Sequence, residues 1–189
     1  VATFVSHLVD VNSASRALNV RALLVQVLEE AVNLGLAEEN VGKKTKPPRV
    51  PRVPRRTLTP AEIAQLLEAC DERFVGAVAL CYVQGWRVSE ALGLAWEDVD
   101  FDAGTAVVRR AATYLDRQGM ILGPTKTRRA AGRQLLGPTV LELLRRRREQ
   151  QSDELATARN PSEATIYEGS PVRLVFTTQT GKPVLRQHV

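Results

Sequence analysis

Arg87 and Glu90 stand three residues apart, and Lys126 sits close to Arg128, Arg129 and Arg133. These are the side chains whose types and spacing could do chemistry. On their own, Arg87 and Glu90 make an ordinary i,i+3 ion pair on one helix face, worth a few tenths of a kcal/mol. Lys126 on its own is a solvated hairpin lysine. The charge around them gives both more meaning. Residues 43–56 (KKTKPPRVPRVPRR) carry seven positive charges and no acid. Residues 103–148 carry eleven positive charges against Asp116 and Glu142, a net of +9. The overall charge is only +5, so the remaining residues carry a net −11. Segregation on this scale makes a local positive field, for which phosphate backbones are the commonest target. Aromatic residues are only 5% of the chain, too few for a single-strand binder built on stacking platforms. Duplex DNA, gripped by its backbone, is the expected partner.

Other chemistries are poorly provided for. Cys70 and Cys81 have no C-x-x-C spacing and no nearby histidine, so neither a zinc site nor a disulfide framework is expected. The longest apolar stretch, Phe74 to Val83, is too short to span a bilayer, and no signal-peptide pattern opens the chain. The chain has 189 residues, 44% of them hydrophobic, enough to bury a core. A soluble, cytoplasmic protein is the expectation.

The elements that must position these residues are mostly helical. From Ser13 to Leu34, residues Ala17, Val20, Leu24, Val27, Leu28 and Ala31 recur at helical spacing, with Gly35 as a left-handed cap and Leu36 folding back. Pro47, Pro48, Pro51 and Pro54 make residues 43–57 an extended basic linker and a domain boundary. Thr59, Pro60 and Glu62 spell a capping box, with Leu58 and Ile63 as its staple, so a helix over Ala61–Cys70 follows. Phe74–Val83 reads as a helix central to a core, and 86–92 as a short helix. Trp86 and Trp96 read as core residues rather than base stackers. Thr105–Thr113, Met120–Leu122 and Arg133–Leu136 read as strands of one small antiparallel sheet. Pro138 opens a helix with Val140, Leu141 and Leu144 inward and Arg145–Arg148 outward. Arg173–Thr177 reads as an extended segment, closed by a turn at Gly181-Lys182-Pro183. The fold class is therefore mainly α with a small antiparallel sheet (α+β).

One stretch carries a family resemblance. Gly85-Trp86-Arg87-Val88-Ser89-Glu90-Ala91-Leu92-Gly93-Leu94-Ala95-Trp96-Glu97-Asp98-Val99-Asp100 resembles the G-x-R-x-S-E-x-x-x-L-x-W-x-D-(V/I)-D segment of the tyrosine recombinases, the phage integrase family. The likeness continues in order. Pro124-Thr125-Lys126-Thr127-Arg128-Arg129 is similar to that family's hairpin-lysine motif, and 175–183 (VFTTQTGKP) to its VF-x-x-x-x-G-x-P segment. Residues 31–40 resemble the end of its core-binding domain, with Val41 where proline is usual.

The resemblance implies a reaction, a partner and roles. A tyrosine attacks a DNA phosphodiester, leaving a 3′-phosphotyrosine and a free 5′-hydroxyl, with no nucleotide, cofactor or obligatory metal. Arg87 then matches the arginine that grips the phosphate oxygens, Lys126 the catalytic lysine that protonates the leaving oxygen, and Glu90 the group that orients Arg87. Lys43, Lys44, Lys46, Arg49, Arg52, Arg55 and Arg56 of the linker, with Arg128, Arg129 and Arg133, are the expected contacts to the DNA backbone. The implied domains are 1–42 as the helical end of a core-binding domain, 43–57 as linker, and 58–189 as the first part of a catalytic domain. The full protein is expected to work as a homotetramer on its recombination sites. The family's H-x-x-R arginine would fall at position 191, and none of Tyr82, Tyr114 and Tyr167 lies in a nucleophile motif. His188 reads as incidental. The expectation is a chain truncated before these motifs and unable to cleave DNA by itself. Two alternatives compete with it. A non-catalytic DNA-binding or regulatory remnant has no need to keep Arg87, Glu90 and Lys126 in register. A helical protein-interaction domain does not explain the strand, hairpin and lysine.

Overall fold

The computed structural model describes residues 1–51, 54, 56–115, 119–125, 132–162 and 164–184. The chain divides into two compact units, Val1–Thr57 and Leu58–Val189.

The first unit is a helical pair, α1 (Ala2–Val11) and α2 (Ala14–Asn33). The stretch before Ser13, ambiguous in the sequence, is thus a helix. Ser13 caps α2 by accepting from the Arg16 N–H at 3.2 Å. The far end closes as a Schellman motif, which needs a left-handed residue that glycine adopts without steric cost. Gly35 has φ +69°, the Leu36 N–H donates to Ala31 O at 2.8 Å, and the Gly35 N–H to Val32 O at 3.0 Å. Two side chains depart from expectation. Leu36 folds back only through its backbone and stays exposed, and Val27 is exposed rather than on the buried stripe. The following loop is pinned by Asn40, which donates to Val25 O at 2.8 Å and to Glu29 at 2.7 Å. Arg21 holds the turn after it, donating to Thr45 O at 2.8 Å. Residues 41–44 are therefore turn, and the extended backbone expected from position 43 begins only after Thr45.

The second unit opens with α3 (Pro60–Ala69), whose capping box forms as expected. The Thr59 N–H donates to Glu62 Oε2 at 2.8 Å, and Thr59 Oγ1 accepts from the Glu62 N–H at 3.3 Å. Helix α4 (Val75–Val83) buries Gly76, Ala77, Ala79 and Leu80. Gly76 is needed small: a Cβ there would meet the Phe176 ring at 3.2 Å. Phe176 is fully buried beside Leu80, Val140 and Leu144, at the centre of the core. Burying a phenylalanine of this kind contributes about 1.5–3 kcal/mol.

A left-handed Gly85 (φ +68°) turns the chain into α5 (Val88–Leu92), followed by one turn of 3-10 helix, Trp96–Asp98. Strand β1 (Val99–Asp100), β2 (Thr105–Val107) and β5 (Arg133–Leu135) form one antiparallel sheet in the order β1-β2-β5. Strands β3 (Arg110–Leu115) and β4 (Gly119–Pro124) form a separate hairpin, with Arg110 opposite Pro124. This corrects the expectation of one strand over Thr105–Thr113 and of a single sheet. The break has a visible cause: consecutive side chains of a regular strand point to opposite faces. Here Arg109 and Arg110 both reach Asp98, so the alternation stops between them and the chain changes sheets.

Helix α6 (Pro138–Thr157) packs on α4. A further hairpin, β6 (Thr165–Tyr167) and β7 (Ser170–Val172), turns at Glu168 and Gly169, both with positive φ. The sequence reading did not contain it. After it, Leu174 bridges Ala95 and Thr177 bridges Pro183, with bends at Val175 and Phe176 in place of one extended run, and the Val175 N–H donates to Leu94 O at 2.9 Å. Among the described residues no helix is long and apolar enough to cross a membrane. No group of three His, Cys, Asp or Glu among them is placed to hold a metal ion.

Candidate nucleic-acid and phosphate site

Arg87 is the N-cap of α5, and Glu90 occupies the third position of that helix. The carboxylate does two jobs at once. Its Oε2 accepts from the Arg87 backbone N–H at 2.9 Å, and its Oε1 from Arg87 Nη1 at 2.7 Å. The pair is asymmetric: the Glu90 side chain is 6% exposed and that of Arg87 57%. A buried acid thus fixes the stem of an arginine whose head stays open to solvent. Arg87 keeps donors pointing outward, as recognition of a tetrahedral anion requires. Behind the pair lies Cys81 on α4, whose thiol is pushed up first by burial and then by the Glu90 charge.

Trp86, next to Arg87, is buried, in line with the core reading, and its indole N–H donates to Gln134 Oε1 on β5 at 2.7 Å. Arg133 precedes Gln134 on that strand, so its side chain leaves from the opposite face. There Arg133 stands 4.0 Å from Asp100 and is exposed. The sheet therefore does not bring Arg133 to the face that Trp86 occupies. Lys126, Arg128, Arg129, Arg52, Arg55 and His188 lie outside the described residues.

The other described cations differ in exposure and pairing. Lys46, Arg49 and Arg56 are exposed. Lys43 pairs with Glu29 at 2.7 Å and Lys44 with Glu39 at 2.5 Å, surface pairs that cost little to exchange for phosphate. The Lys43 ammonium, bonded to Glu29, holds that carboxyl below its usual value. On α6, Arg145 and Arg148 lie over the Phe101 ring at 5.6 and 5.8 Å, and that ring stacks on Trp96 at 6.3 Å. Arg146 pairs with Glu142 at 3.1 Å.

Arg147 breaks the expectation that Arg145–Arg148 all turn outward. It is buried, with its guanidinium donating to Val175 O at 3.1 Å, Glu154 at 2.9 Å, Gln150 at 3.0 Å, and both oxygens of Thr177. Burial lowers its pKa, and the hydrogen bond it donates to Glu154 opposes that shift. Gln151 joins this network, donating to Leu174 O at 3.0 Å and Thr177 Oγ1 at 2.7 Å and accepting from the Trp96 indole at 2.7 Å. These side chains fix residues 173–177 on α6. Asp98 does comparable work for β3: it takes Arg109 Nε at 2.9 Å and Arg110 Nη1 at 3.0 Å, while Arg110 lies over the Tyr167 ring at 5.1 Å. Burial pushes the Asp98 carboxyl up, against the two guanidiniums and the Ala95 N–H. Sequence reasoning gave no role to Asp98, Arg110, Gln134, Arg147 or Gln151. Only Asp98 had a signal, its place in the L-x-W-x-D pattern.

Residues 56–189 match the family described as Phage integrase family, which is most of the chain. The chain belongs to that family. As a member of the phage integrase family it is 37% identical over 120 residues to tyrosine recombinase XerA of Thermococcus kodakarensis, covering 60% of this chain and 40% of that one. It is 34% identical over 83 residues to an integrase/recombinase of Escherichia coli, across 44% of this chain and 23% of that protein. The chain thus spans well under two thirds of the length of these relatives. Among solved structures it is similar to the Tn1549 transposon integrase in complex with a circular intermediate DNA. The TM-score is 0.76 at 16% identity, over 99% of this chain and 59% of that one. A lambda integrase tetramer bound to a Holliday junction matches with TM-score 0.60 at 21% identity, over 97% of this chain and 47% of that one. Likeness at this identity shows the fold, an integrase-like α+β arrangement with small antiparallel sheets.

Proposed function

We propose that this integrase-family chain supplies the phosphate-gripping half of a site-specific DNA recombinase, and that Arg87 binds the scissile phosphate. The observation that carries this is the Arg87–Glu90 asymmetry, a buried acid holding an exposed guanidinium at the start of α5. A pentacoordinate phosphorane concentrates negative charge on its equatorial oxygens, and a fixed cation there lowers the barrier. In the reaction, a tyrosine oxygen attacks phosphorus and the bond to the 5′-oxygen breaks. The tyrosine proton passes to solvent, the 5′-oxygen takes a proton from Lys126, and the neutral lysine is reprotonated from solvent or takes the proton back on rejoining. Rejoining runs the same steps backward, so the phosphodiester bond energy is kept and no nucleotide is consumed.

The nucleophile is proposed to come from the part of the protein that this chain does not share with its longer relatives, because Tyr82, Tyr114 and Tyr167 lie outside any matching motif. Solved relatives include complexes with DNA, which supports duplex DNA as the partner, gripped by Lys46, Arg49, Arg56 and the neighbouring cations. The lambda integrase tetramer on a Holliday junction supports a tetramer for the whole protein.

The test is a suicide-substrate assay on the complete recombinase. Arg87→Ala is expected to slow covalent complex formation about 10²–10³-fold, the usual loss for one preorganised donor at a developing charge. Lys126→Ala is expected to slow it likewise on a normal substrate. With a 5′-thio leaving group, which departs without a proton, only the Lys126 variant recovers. Wild-type rates in Arg87→Ala would sink the reading.

A further inference from the structure

The segment bearing Arg87 is pegged by an indole rather than by its own helix. Helix α5 has only five residues and makes few bonds of its own. Arg87 follows a left-handed glycine, a point where the backbone turns without support from a regular element. Helix α5 packs on α4 and β3, and the turn ahead of it is tied by Trp86, whose backbone N–H also donates to Leu80 O at 3.4 Å. Its ring is buried, and its one polar atom donates to Gln134 Oε1 at 2.7 Å, across 48 residues of sequence. Gln134 in turn is held in register on β5, opposite Ala106 of β2. Through this bond the three-stranded sheet sets where the chain enters α5, and so where the Arg87 Cα sits. Glu90 holds the Arg87 backbone N–H and Nη1 from within α5, whereas the Trp86–Gln134 bond ties this turn to the sheet.

The second tryptophan shows the contrast. Trp96 makes the same kind of bond, indole to glutamine at 2.7 Å, with Gln151. Gln151 also holds Leu174 O and Thr177 Oγ1, so it is part of the core network. Gln134 has no such second duty among its hydrogen bonds with other described side chains.

We infer that Gln134 is a positioning residue for Arg87, acting through the Trp86 indole. The inference rests on the reading of Arg87 as a phosphate ligand. It is tested on the 189-residue chain, without any cleavage step. Duplex affinity is measured at fixed low salt for Gln134→Met, Trp86→Phe, Arg87→Ala and their pairwise combinations. Gln134→Met and Trp86→Phe are each expected to weaken binding about threefold to tenfold, the worth of one buried hydrogen bond, and the pair to do no more. In the Arg87→Ala background Gln134→Met is expected to cost nothing further. Equal losses with and without Arg87 would mean that Gln134 supports the fold or touches DNA itself, and would overturn the inference. The Arg87 guanidinium 15N resonances, assigned with Arg87→Lys, supply a readout independent of DNA. They are expected to shift in Gln134→Met, and if they stay in place the inference is wrong. If they shift while Arg87→Ala binds duplex normally, the positioning role stands and the phosphate reading falls.

Discussion

Two arginines of this protein are each held by a glutamate on their own helix, and they end in opposite states. Arg87 has its acid buried and its head in solvent. Arg147 has its own head buried, only 1% exposed, with Glu154 and the carbonyls of Val175 and Thr177 around it. The difference teaches which arginine is available for work. A guanidinium has five donors. At Arg147 they are turned onto protein acceptors, so the residue is a structural cross-link between α6 and 173–177. At Arg87 the guanidinium donates to Glu90 and stays open to solvent. An i,i+3 pair and an arginine in a basic run look alike in composition. What separates them is which member of the pair the fold covers.

The largest effect should come from breaking the buried member. Arg147→Met keeps most of the volume but takes the donor from Glu154 and Thr177 O, while Gln151 still serves Val175 O and Thr177 Oγ1. Removing one partner of a buried pair costs about 3–5 kcal/mol. Urea unfolding of the Leu58–Val189 unit should show that loss, whereas Arg87→Ala, which leaves the buried Glu90 carboxylate still accepting from the residue 87 N–H, should cost less, about 1–3 kcal/mol. A comparable loss in both variants would erase the distinction between a structural and an available arginine.

The third arginine of this kind, Arg110, sharpens the comparison because it is held by a distant acid and a close backbone. Gly93, just after α5, lies against it: a Cβ at Gly93 would stand 2.7 Å from Arg110 O. Backbone cannot yield as a flexible side chain does, so Gly93→Ala must push α5 away from β3. Overpacking of this kind costs about 1–3 kcal/mol. Differential scanning calorimetry should show the fall, and the Asp98–Arg110 pair should loosen with it. An unchanged melting temperature would mean that the α5–β3 contact gives way freely.

How much of this was legible in the sequence follows the range of each interaction. The α3 cap was readable because Thr59, Pro60 and Glu62 are neighbours, and their bonds form whatever the rest of the chain does. The Schellman end of α2 was readable for the same reason. The break between β2 and β3 was not, because Asp98 lies eleven and twelve residues from the arginines that share it. Residues 105–113 (TAVVRRAAT) carry no glycine or proline that would announce the break. The burial of Arg147 was invisible too, since its acceptors lie 28 and 30 residues away. The β6–β7 hairpin hid behind an atypical turn. Asn-Gly or Asp-Gly announces a turn with two positive φ angles, but here Glu168 precedes Gly169. In the site itself, the Arg87–Glu90 pair was legible because a family pattern runs through it, whereas Gln134 belongs to no pattern.

Electrostatics near Arg147 give the smallest of these effects and the one with a pH signature. Asp71, in the loop before α4, accepts from Arg73 Nε at 3.0 Å and also feels Arg147. The hydrogen bond from Arg73 lowers its carboxyl to about 2, against a modest penalty from burial. A carboxyl depressed on folding contributes stability that is fully present above its unfolded value, near 3.9, and is lost as pH falls through the folded value. Asp71 is 45% exposed, so solvent screens most of that shift and leaves a few tenths of a kcal/mol. Asp71→Asn should therefore unfold in urea slightly earlier than the parent at pH 7. The gap should narrow between about pH 4 and pH 2 and close below. A gap that persists unchanged at pH 2 would assign the loss to the Arg73 hydrogen bonds rather than to charge. In that case the Arg147 environment would owe nothing to the Asp71 carboxylate.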